Sequence, residues 1–346
     1  MLNRVLGYFS HDIGIDLGTA NTLVYVKGKG ITIREPSVVA IHKKTREVLA
    51  VGSEAKKMLG KTPDIIQAIR PLRDGVISDF YVTEKMISYF IKQVHQAPSR
   101  LPKIPRPRAV MGVPSGVTSV ERKAVIDAAK NAGAREVYLI DEPMAAAIGS
   151  DLAVNEPKGT MIVDMGGGTS EIAVISLGGL VVNKSLRIAG DELDEAIVGY
   201  ARDVHNLLIG ERSAEEVKCQ IGNVVEFNRE NDFSAILRGR DLKTGLPRGV
   251  EVPPGEIREA LRSPIYEIIN GVKDAIEDTP AELMSDIVRD GIILAGGTAL
   301  LRGLDKLMAY ELKVPVRVSK DPMTCVVRGC GKLLDDISLL NRIKIK

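Results

Sequence analysis

The sequence predicts an α/β fold built from two related lobes that face each other across a cleft. Three observations carry this reading. Short runs rich in β-branched residues alternate with helical patterns along most of the chain. An aspartate-glycine hairpin motif occurs twice, about 150 positions apart, roughly one domain length. At 346 residues the chain also exceeds the size at which a single hydrophobic core usually stops growing.

In chain order, the strand signals are Ile13–Asp16, Thr22–Val26, Ala109–Val113, Val137–Ile140, Met161–Asp164, Ile172–Ser176 and Gly291–Ala295. Helical patterns cover Ser119–Ala132, Pro143–Ser150, Asp191–Leu208, Ser213–Gly222, Gly255–Ile276 and Leu300–Glu311, several with polar residues placed to cap their starts. The Pro-rich Pro98–Arg108 and the Gly/Pro-punctuated Arg238–Pro254 read as loops. The repeat pairs Ile13-Gly-Ile-Asp16-Leu-Gly18-Thr-Ala-Asn-Thr-Leu-Val-Tyr-Val26 with Met161-Ile-Val-Asp164-Met-Gly166-Gly-Gly-Thr-Ser-Glu-Ile-Ala-Val174. Each copy runs from apolar strand through Asp, apolar residue and Gly to a small polar turn and a second strand.

Glycines in such turns let consecutive backbone N–H groups converge on an anion. Gly166, Gly167 and Gly168 suit one end of a polyphosphate, and Gly18, Thr19, Ala20 and Asn21 present donors from the opposite side. Either turn alone is ordinary hairpin chemistry; the pair of aspartates favours the site. Asp16 and Asp164 each end an apolar strand, where an uncompensated carboxylate is costly. Opposed across a cleft, they suit a hydrated Mg²⁺, which keeps several waters and takes few carboxylates.

Further motifs point the same way. In Leu139-Ile-Asp-Glu142-Pro143 a strand runs into a helix; Glu142 either offsets the positive helix end or orients a water in line with a terminal phosphate. Gly291-Ile-Ile-Leu-Ala-Gly296-Gly297-Thr298 ends a strand on two glycines that would let backbone lie flat against a nucleoside, with Thr298 placed to cap the next helix. Ser213-Ala-Glu-Glu216 has capping-box spacing, leaving Glu215 and Lys218 either on a solvated face or reaching ribose and base. Gly60-Lys61-Thr62 has the ending of a P-loop, but Ala55 stands where the first glycine is needed and Pro63 follows, so a plain loop is expected.

Composition excludes several classes. A net charge of +2 and no Trp give no basis for nucleic-acid binding. Cys219, Cys325 and Cys330 lack metal or disulfide spacing and suit a reducing compartment. His11, His42, His95 and His205 are isolated from one another. With no membrane-length apolar run and no signal-peptide pattern, the expected location is cytoplasmic.

Taken together, the ordered motifs resemble the actin, sugar-kinase and DnaK-type ATPase superfamily. Arg34-Glu-Pro-Ser-Val-Val-Ala, Asp141-Glu-Pro-Met-Ala-Ala-Ala-Ile-Gly, Gly166-Gly-Gly-Thr-Ser-Glu-Ile-Ala-Val-Ile-Ser and Ile209-Gly-Glu-Arg-Ser-Ala-Glu-Glu-Val-Lys resemble one branch over the whole chain, the rod-shape-determining bacterial actins of the MreB type. The resemblance implies an actin-like ATPase fold with mixed sheets flanked by helices in four subdomains: residues 1–32, 70–146 and 325–346 (IA), 33–69 (IB), 147–188 and 254–324 (IIA), and 189–253 (IIB). It implies ATP hydrolysis coupled to filament dynamics, with ATP and Mg²⁺ as cofactors. Thr19, Ala20, Asn21 and Gly166 to Gly168 would hold phosphates, and Asp16 and Asp164 the cation through water. Glu142 and Thr169 would place the attacking water. Glu215, Glu216, Val217 and Lys218 with Gly296, Gly297, Thr298 and Ala299 would contact the nucleoside. Implied partners are further copies of the chain in paired protofilaments, the inner face of the cytoplasmic membrane and membrane proteins of the wall-elongation complex.

Two departures stand out: Ser170 replaces a second Thr, and Val326-Val-Arg-Gly-Cys330-Gly replaces a more usual Ala-Arg-Gly-Thr-Gly. The alternatives on this scaffold are an actin for plasmid segregation or division and a small-molecule kinase, for which no substrate pocket is legible. A DnaK-like chaperone would need a peptide-binding domain after residue 346. For membrane attachment, Leu2, Val5, Leu6 and Phe9 share one helical face; Gly7 argues instead for a frayed end. A second candidate is Leu101 and Ile104 among Arg100, Lys103, Arg106 and Arg108, unless that segment is a plain polyproline connector.

Overall fold

The computed structural model describes residues 10–96, 105–228 and 233–345. Two five-stranded sheets dominate. The first contains β1 (Ile13–Leu17), β2 (Asn21–Val26), β3 (Gly30–Pro36), β4 (Arg108–Val113) and β5 (Glu136–Asp141), in spatial order β5-β4-β1-β2-β3. The second contains β6 (Thr160–Met165), β7 (Ser170–Ser176), β8 (Gly179–Leu186), β9 (Ile292–Ala295) and β10 (Val316–Val318), in order β8-β7-β6-β9-β10. The topologies are the same: an antiparallel meander of three strands, extended from its first strand by two parallel strands. Asp16 and Asp164 occupy equivalent places, each one residue before the end of its central strand. The sequence repeat is therefore a structural one. Central β1 and β6 are almost wholly apolar because helices cover both faces.

Eleven helices surround the sheets among the described residues: α1 (Ser53–Met58), α2 (Phe80–Gln96), α3 (Ser119–Asn131), α4 (Glu142–Gly149), α5 (Gly190–His205), α6 (Glu211–Ile221), α7 (Pro254–Glu277), α8 (Ala281–Asp290), α9 (Leu304–Leu312), α10 (Cys325–Asp335) and α11 (Ile337–Ile343). The first lobe packs Val82, Met86, Ile87, Phe90 and Ile91 of α2 against Ile13, Ile15 and Met111. The second packs Ile257, Leu261, Ile265 and Ile268 of α7 against Met161, Val163 and Ile172. A third apolar cluster joins the sheets, with Met144 to Ile148 of α4 and Val326, Leu333 and Leu334 of α10 between Val110 and Ile140 on one side and Ile162 and Ala173 on the other. The chain passes between lobes through α4 and returns through α10, so these helices form the floor between the two halves.

They cross at very close range. A Cβ on Gly149 would sit 1.8 Å from the Cys325 carbonyl oxygen, and one on Gly329 would sit 1.9 Å from that of Ala145. Glycine is obligatory at both positions. Cys330 is buried against Gly14 of β1, and burial raises its thiol pKa well above the ordinary value, so it behaves as a small apolar residue.

Several sequence expectations need correction. The helix expected over Asp191–Leu208 ends at His205, because Asn206 adopts the left-handed conformation (φ 50°) and Leu207–Leu208 pairs as a strand with Asp241 and Arg240. Arg238–Pro254 is not a loop: Ala235–Asp241 and Pro247–Val252 form a hairpin. Its turn is held by Asp241, which accepts from the backbone N–H groups of Lys243 and Thr244. Leu300–Glu311 is split by Gly303 (φ 79°) into a 3-10 turn, Thr298–Leu300, and α9. Ser213 and Glu216 form no capping box, since α6 begins at Glu211 after Gly210 and Glu216 accepts from Arg212 at 2.9 Å. Gly60-Lys61-Thr62 lies in the turn after α1. A small sheet, Val48–Val51, Val39–His42 and Ile66–Ile69, crowns the first lobe.

Candidate functional site

Both hairpin turns open into one cleft of about 380 Å³, within the ~300–1,000 Å³ range of small-molecule sites. Gly18 makes the first turn possible, since a Cβ there would lie 2.7 Å from the Asn21 carbonyl oxygen. Opposite it, a Cβ on Gly167 would stand 2.7 Å from Ala20 Cβ, and one on Gly168 would stand 2.8 Å from Thr19 Oγ1. The two turns thus meet face to face at a range only glycine permits. Gly166 N–H closes its own turn onto Thr169 O at 2.9 Å. The Gly75 N–H donates to Thr19 Oγ1 at 3.0 Å, bringing a further loop to the same place.

Carboxylates line the floor. Asp164 is buried and Asp16 is half-buried near the ends of β6 and β1; Glu142, the first residue of α4, lines the same cleft. Burial pushes the Asp16 carboxyl up to about 7. Burial, then the charges of Asp16 and Glu171, holds Asp164 well above the ordinary carboxylate range. Glu142 is raised by burial first, then by Glu171, Asp16, Asp164 and Asp141. Buried like charges of this kind call for a cation. Two aspartates across a cleft, with glycine-turn N–H groups beside them, fit a hydrated divalent ion shared with phosphate oxygens.

The other end of the cleft is less uniform. Gly296 takes φ 80°, and a Cβ on it would meet the Met165 carbonyl at 2.1 Å, so the strand-Gly-Gly element is pressed onto β6. Thr298 caps nothing; its hydroxyl donates to Gly166 O at 3.0 Å and ties this element to the second glycine turn. Glu215 and Lys218 of α6 line the cleft, with Gly296, Gly297 and Thr298. Lys218 donates to Gly190 O at 2.6 Å and pairs with Asp194 at 2.8 Å; burial nevertheless outweighs that lysine and pushes Asp194 up to about 6. Glu216, Val217 and Ala299 lie outside the lining: Glu216 is on the outer face of α6, Val217 is in the second-lobe core, and Ala299 is buried behind Thr298. Two ion pairs cross the mouth between lobes, Lys56–Glu215 at 2.8 Å and Arg70–Asp191 at 3.1 Å.

Sequence reasoning passed over Gly75, Ser115, Glu171 and Asp191. Their partners lie tens of positions away, and no local spacing announces them. Leu2, Val5, Leu6 and Phe9, and Arg100, Leu101, Lys103 and Ile104, fall outside the described residues. Among the described residues no helix is long and apolar enough to cross a membrane.

A model of the MreB/Mbl protein family matches residues 10–342. The chain belongs to the MreB/Mbl family. It is 52% identical over 343 residues to the cell shape-determining protein MreB of Escherichia coli, covering 98% of this chain and 97% of that one. Identity to the cell shape-determining protein Mbl of Bacillus subtilis is 48% over 337 residues, 97% of this chain and 99% of the relative. Among solved structures, MreB5 of Spiroplasma citri bound to ADP superposes with a TM-score of 0.89 at 36% identity, covering 96% and 98% of the two chains. The same protein bound to AMPPNP gives 0.88. A MamK double helical filament shares the fold, with a TM-score of 0.79 at 24% identity over 94% and 99% of the chains. As a member of the MreB/Mbl family, the chain has the actin-like fold, with mixed sheets flanked by helices.

Proposed function

We propose that this protein binds and hydrolyses ATP with Mg²⁺ and polymerises into membrane-associated filaments that organise cell-wall elongation and so maintain rod shape. The convergence of two glycine turns and three carboxylates on one interlobe cleft carries the reading. Relatives named as cell shape-determining, and a neighbouring structure holding ADP or AMPPNP, support it. The four subdomains take the bounds given by the sequence resemblance.

In this reading the backbone N–H groups of Thr19 to Asn21 and Gly166 to Gly168 grip the phosphates from the two lobes. Asp16 and Asp164 hold Mg²⁺ through water; when bound, the ion offsets phosphate charge. Glu142 accepts a hydrogen bond from a water that the Thr169 hydroxyl helps to align with the terminal phosphorus. Water oxygen then bonds to phosphorus as the bridging P–O bond breaks, and the water's proton passes toward Glu142. Glu215, Lys218, Gly296 and Gly297 face the nucleoside.

The membrane contact falls to Leu2, Val5, Leu6 and Phe9. Four such side chains gain roughly 6–12 kcal/mol if fully buried, against ~10–20 kcal/mol to order about ten residues. One copy therefore holds lipid weakly, and a filament presenting many copies holds it firmly. Sedimentation with ATP, with and without anionic liposomes, tests the whole. The full chain should pellet with ATP and co-sediment with liposomes, and a chain lacking residues 1–10 should still polymerise but leave the lipid. Full liposome binding by the truncated filaments would move the anchor to the Leu101/Ile104 segment. A chain that neither binds ATP nor pellets would overturn the reading.

A further inference from the structure

Glu171 is a buried acid that the hydrolytic scheme above leaves without a task. It is 1% exposed and lies on β7, two residues after Thr169. Its carboxylate accepts three hydrogen bonds: from Ser185 Oγ at 2.5 Å, from Ser115 N–H at 3.1 Å, and from Ser115 Oγ at very short range. Ser185 belongs to β8 of the same lobe. Ser115 belongs to the other lobe, in the loop that leaves β4, two residues past Val113. Ser115 Oγ also lies 2.7 Å from Asn183 Oδ1 of β8, so a second group of the opposite lobe reaches the same hydroxyl. The contact is close in backbone too: a Cβ on Gly116 would meet Ser185 Cβ at 3.0 Å.

This junction sits beside the reacting groups. β4 carries Gly112, where a Cβ would meet Glu142 Cγ at 3.3 Å, and Pro114 packs against Gly75, which in turn touches Thr169. Glu142 is a first-lobe residue and Thr169 a second-lobe residue, so their separation is set by how the lobes close. Ion pairs that cross between the lobes, Lys56–Glu215 and Arg70–Asp191 at the cleft mouth and Arg34–Asp321 at 4.0 Å, are partly exposed and of the kind worth little by themselves. The Glu171 carboxylate is itself buried, although Ser115 is half-buried and Ser185 exposed, and its bonds are charge-assisted and directional, which gives this junction the larger share of geometric control.

We propose that Glu171 is a positioning residue: by clasping Ser115 across the lobes it fixes Thr169 opposite Glu142 and holds the attacking water in line. It touches neither phosphate nor water itself. The proposal rests on the ATPase reading, since it assigns a task within that reaction. Positioning of this kind acts on the chemical step rather than on binding, because an ångström of misalignment costs up to ~100-fold in rate while the phosphate-gripping turns remain in place.

The test is a double-mutant cycle on the full chain with Ser115→Ala and Glu171→Gln, following AMPPNP affinity by calorimetry and phosphate release from ATP. Each single variant should lower turnover about tenfold or more while affinity stays within about threefold. The double variant should be no slower than the slower single, because both changes undo one contact. Ser185→Ala, which removes a bond within one lobe, should cost distinctly less than Ser115→Ala. The proposal is overturned by turnover within about twofold of wild type in both singles, by losses that multiply in the double, or by equal losses from Ser185→Ala. Ser115→Ala is the mild probe that remains informative should Glu171→Gln unfold. Wild-type protein that binds AMPPNP but releases no phosphate would bring down the ATPase reading, and the latch with it; intact wild-type hydrolysis with unaffected variants brings down the latch alone.

Discussion

Gly329→Ala places a methyl group at the crossing of α4 and α10, where its Cβ would lie 1.9 Å from the Ala145 carbonyl oxygen. That neighbour is helix backbone and cannot rotate away, so the two helices must part by about 1 Å to reach tolerable contact. Overpacking of this kind costs ~1–3 kcal/mol, which in a chain of this size lowers Tm by a few degrees, at ~2–4 °C per kcal/mol. Separation of the helices has a second consequence. Glu142 is the first residue of α4, so an α4 shift of about 1 Å moves it relative to Thr169, with a loss of up to ~100-fold in turnover. Thermal unfolding monitored by circular dichroism, and phosphate release at saturating ATP, read the two effects separately. A variant with wild-type Tm and wild-type turnover would refute both the tight crossing and its role in setting Glu142.

Asp164→Ala should weaken Mg²⁺-dependent ATP binding at least about tenfold, ~1.4 kcal/mol, with circular dichroism unchanged; unaltered affinity in calorimetry would remove Asp164 from the cation site. Stability of the nucleotide-free protein should fall as pH rises from about 4 to about 7. Asp16 is pushed up to about 7, and Asp164, Glu142 and Glu171 are raised as well, so in this window the folded chain keeps protons that the unfolded chain has released. Surface carboxylates lowered by their partners, such as Asp290 at about 2, act only below that window. Urea midpoints should thus be higher at about pH 5.5 than at about pH 7.5, and Mg²⁺ with nucleotide should flatten the difference; a midpoint that rises with pH would contradict the cluster's electrostatics.

Much of this architecture was legible because it is local. The Asp-Gly turns repeat in sequence, and each encodes a strand, a turn and a strand whose side chains need no distant partner to declare themselves. The 3.6-residue spacing of Val82, Met86, Phe90 and Ile91 in α2 was equally local yet went unread. Elsewhere composition misled. Gly239, Gly245 and Pro247 suggested a loop where backbone pairing of Ile236 with Glu251 and Leu237 with Val250 makes a hairpin. Asn206 stopped a helix whose apolar pattern ran on, because Leu207 is buried in a strand rather than on a helical face. In the cleft, the residues proposed to hold phosphate and cation are those the turns present directly. Glu171 and Ser115 could not be found this way: a Glu and a Ser 56 positions apart acquire meaning only once two lobes close on each other. Spacing in α6 left Glu215 and Lys218 open between a solvated face and the cleft, which they line; Glu216, which the family resemblance put with them, pairs with Arg212 on the outer face.

The central claim is that this cleft hydrolyses ATP by holding a water between Glu142 and the terminal phosphate, and single-turnover phosphate release by Glu142→Ala tests it most directly. The variant should bind ATP with wild-type affinity, release phosphate about 100-fold more slowly or less, and form longer-lived filaments. Phosphate release at the wild-type rate would contradict the account and leave Glu142 with only the electrostatics of a helix end.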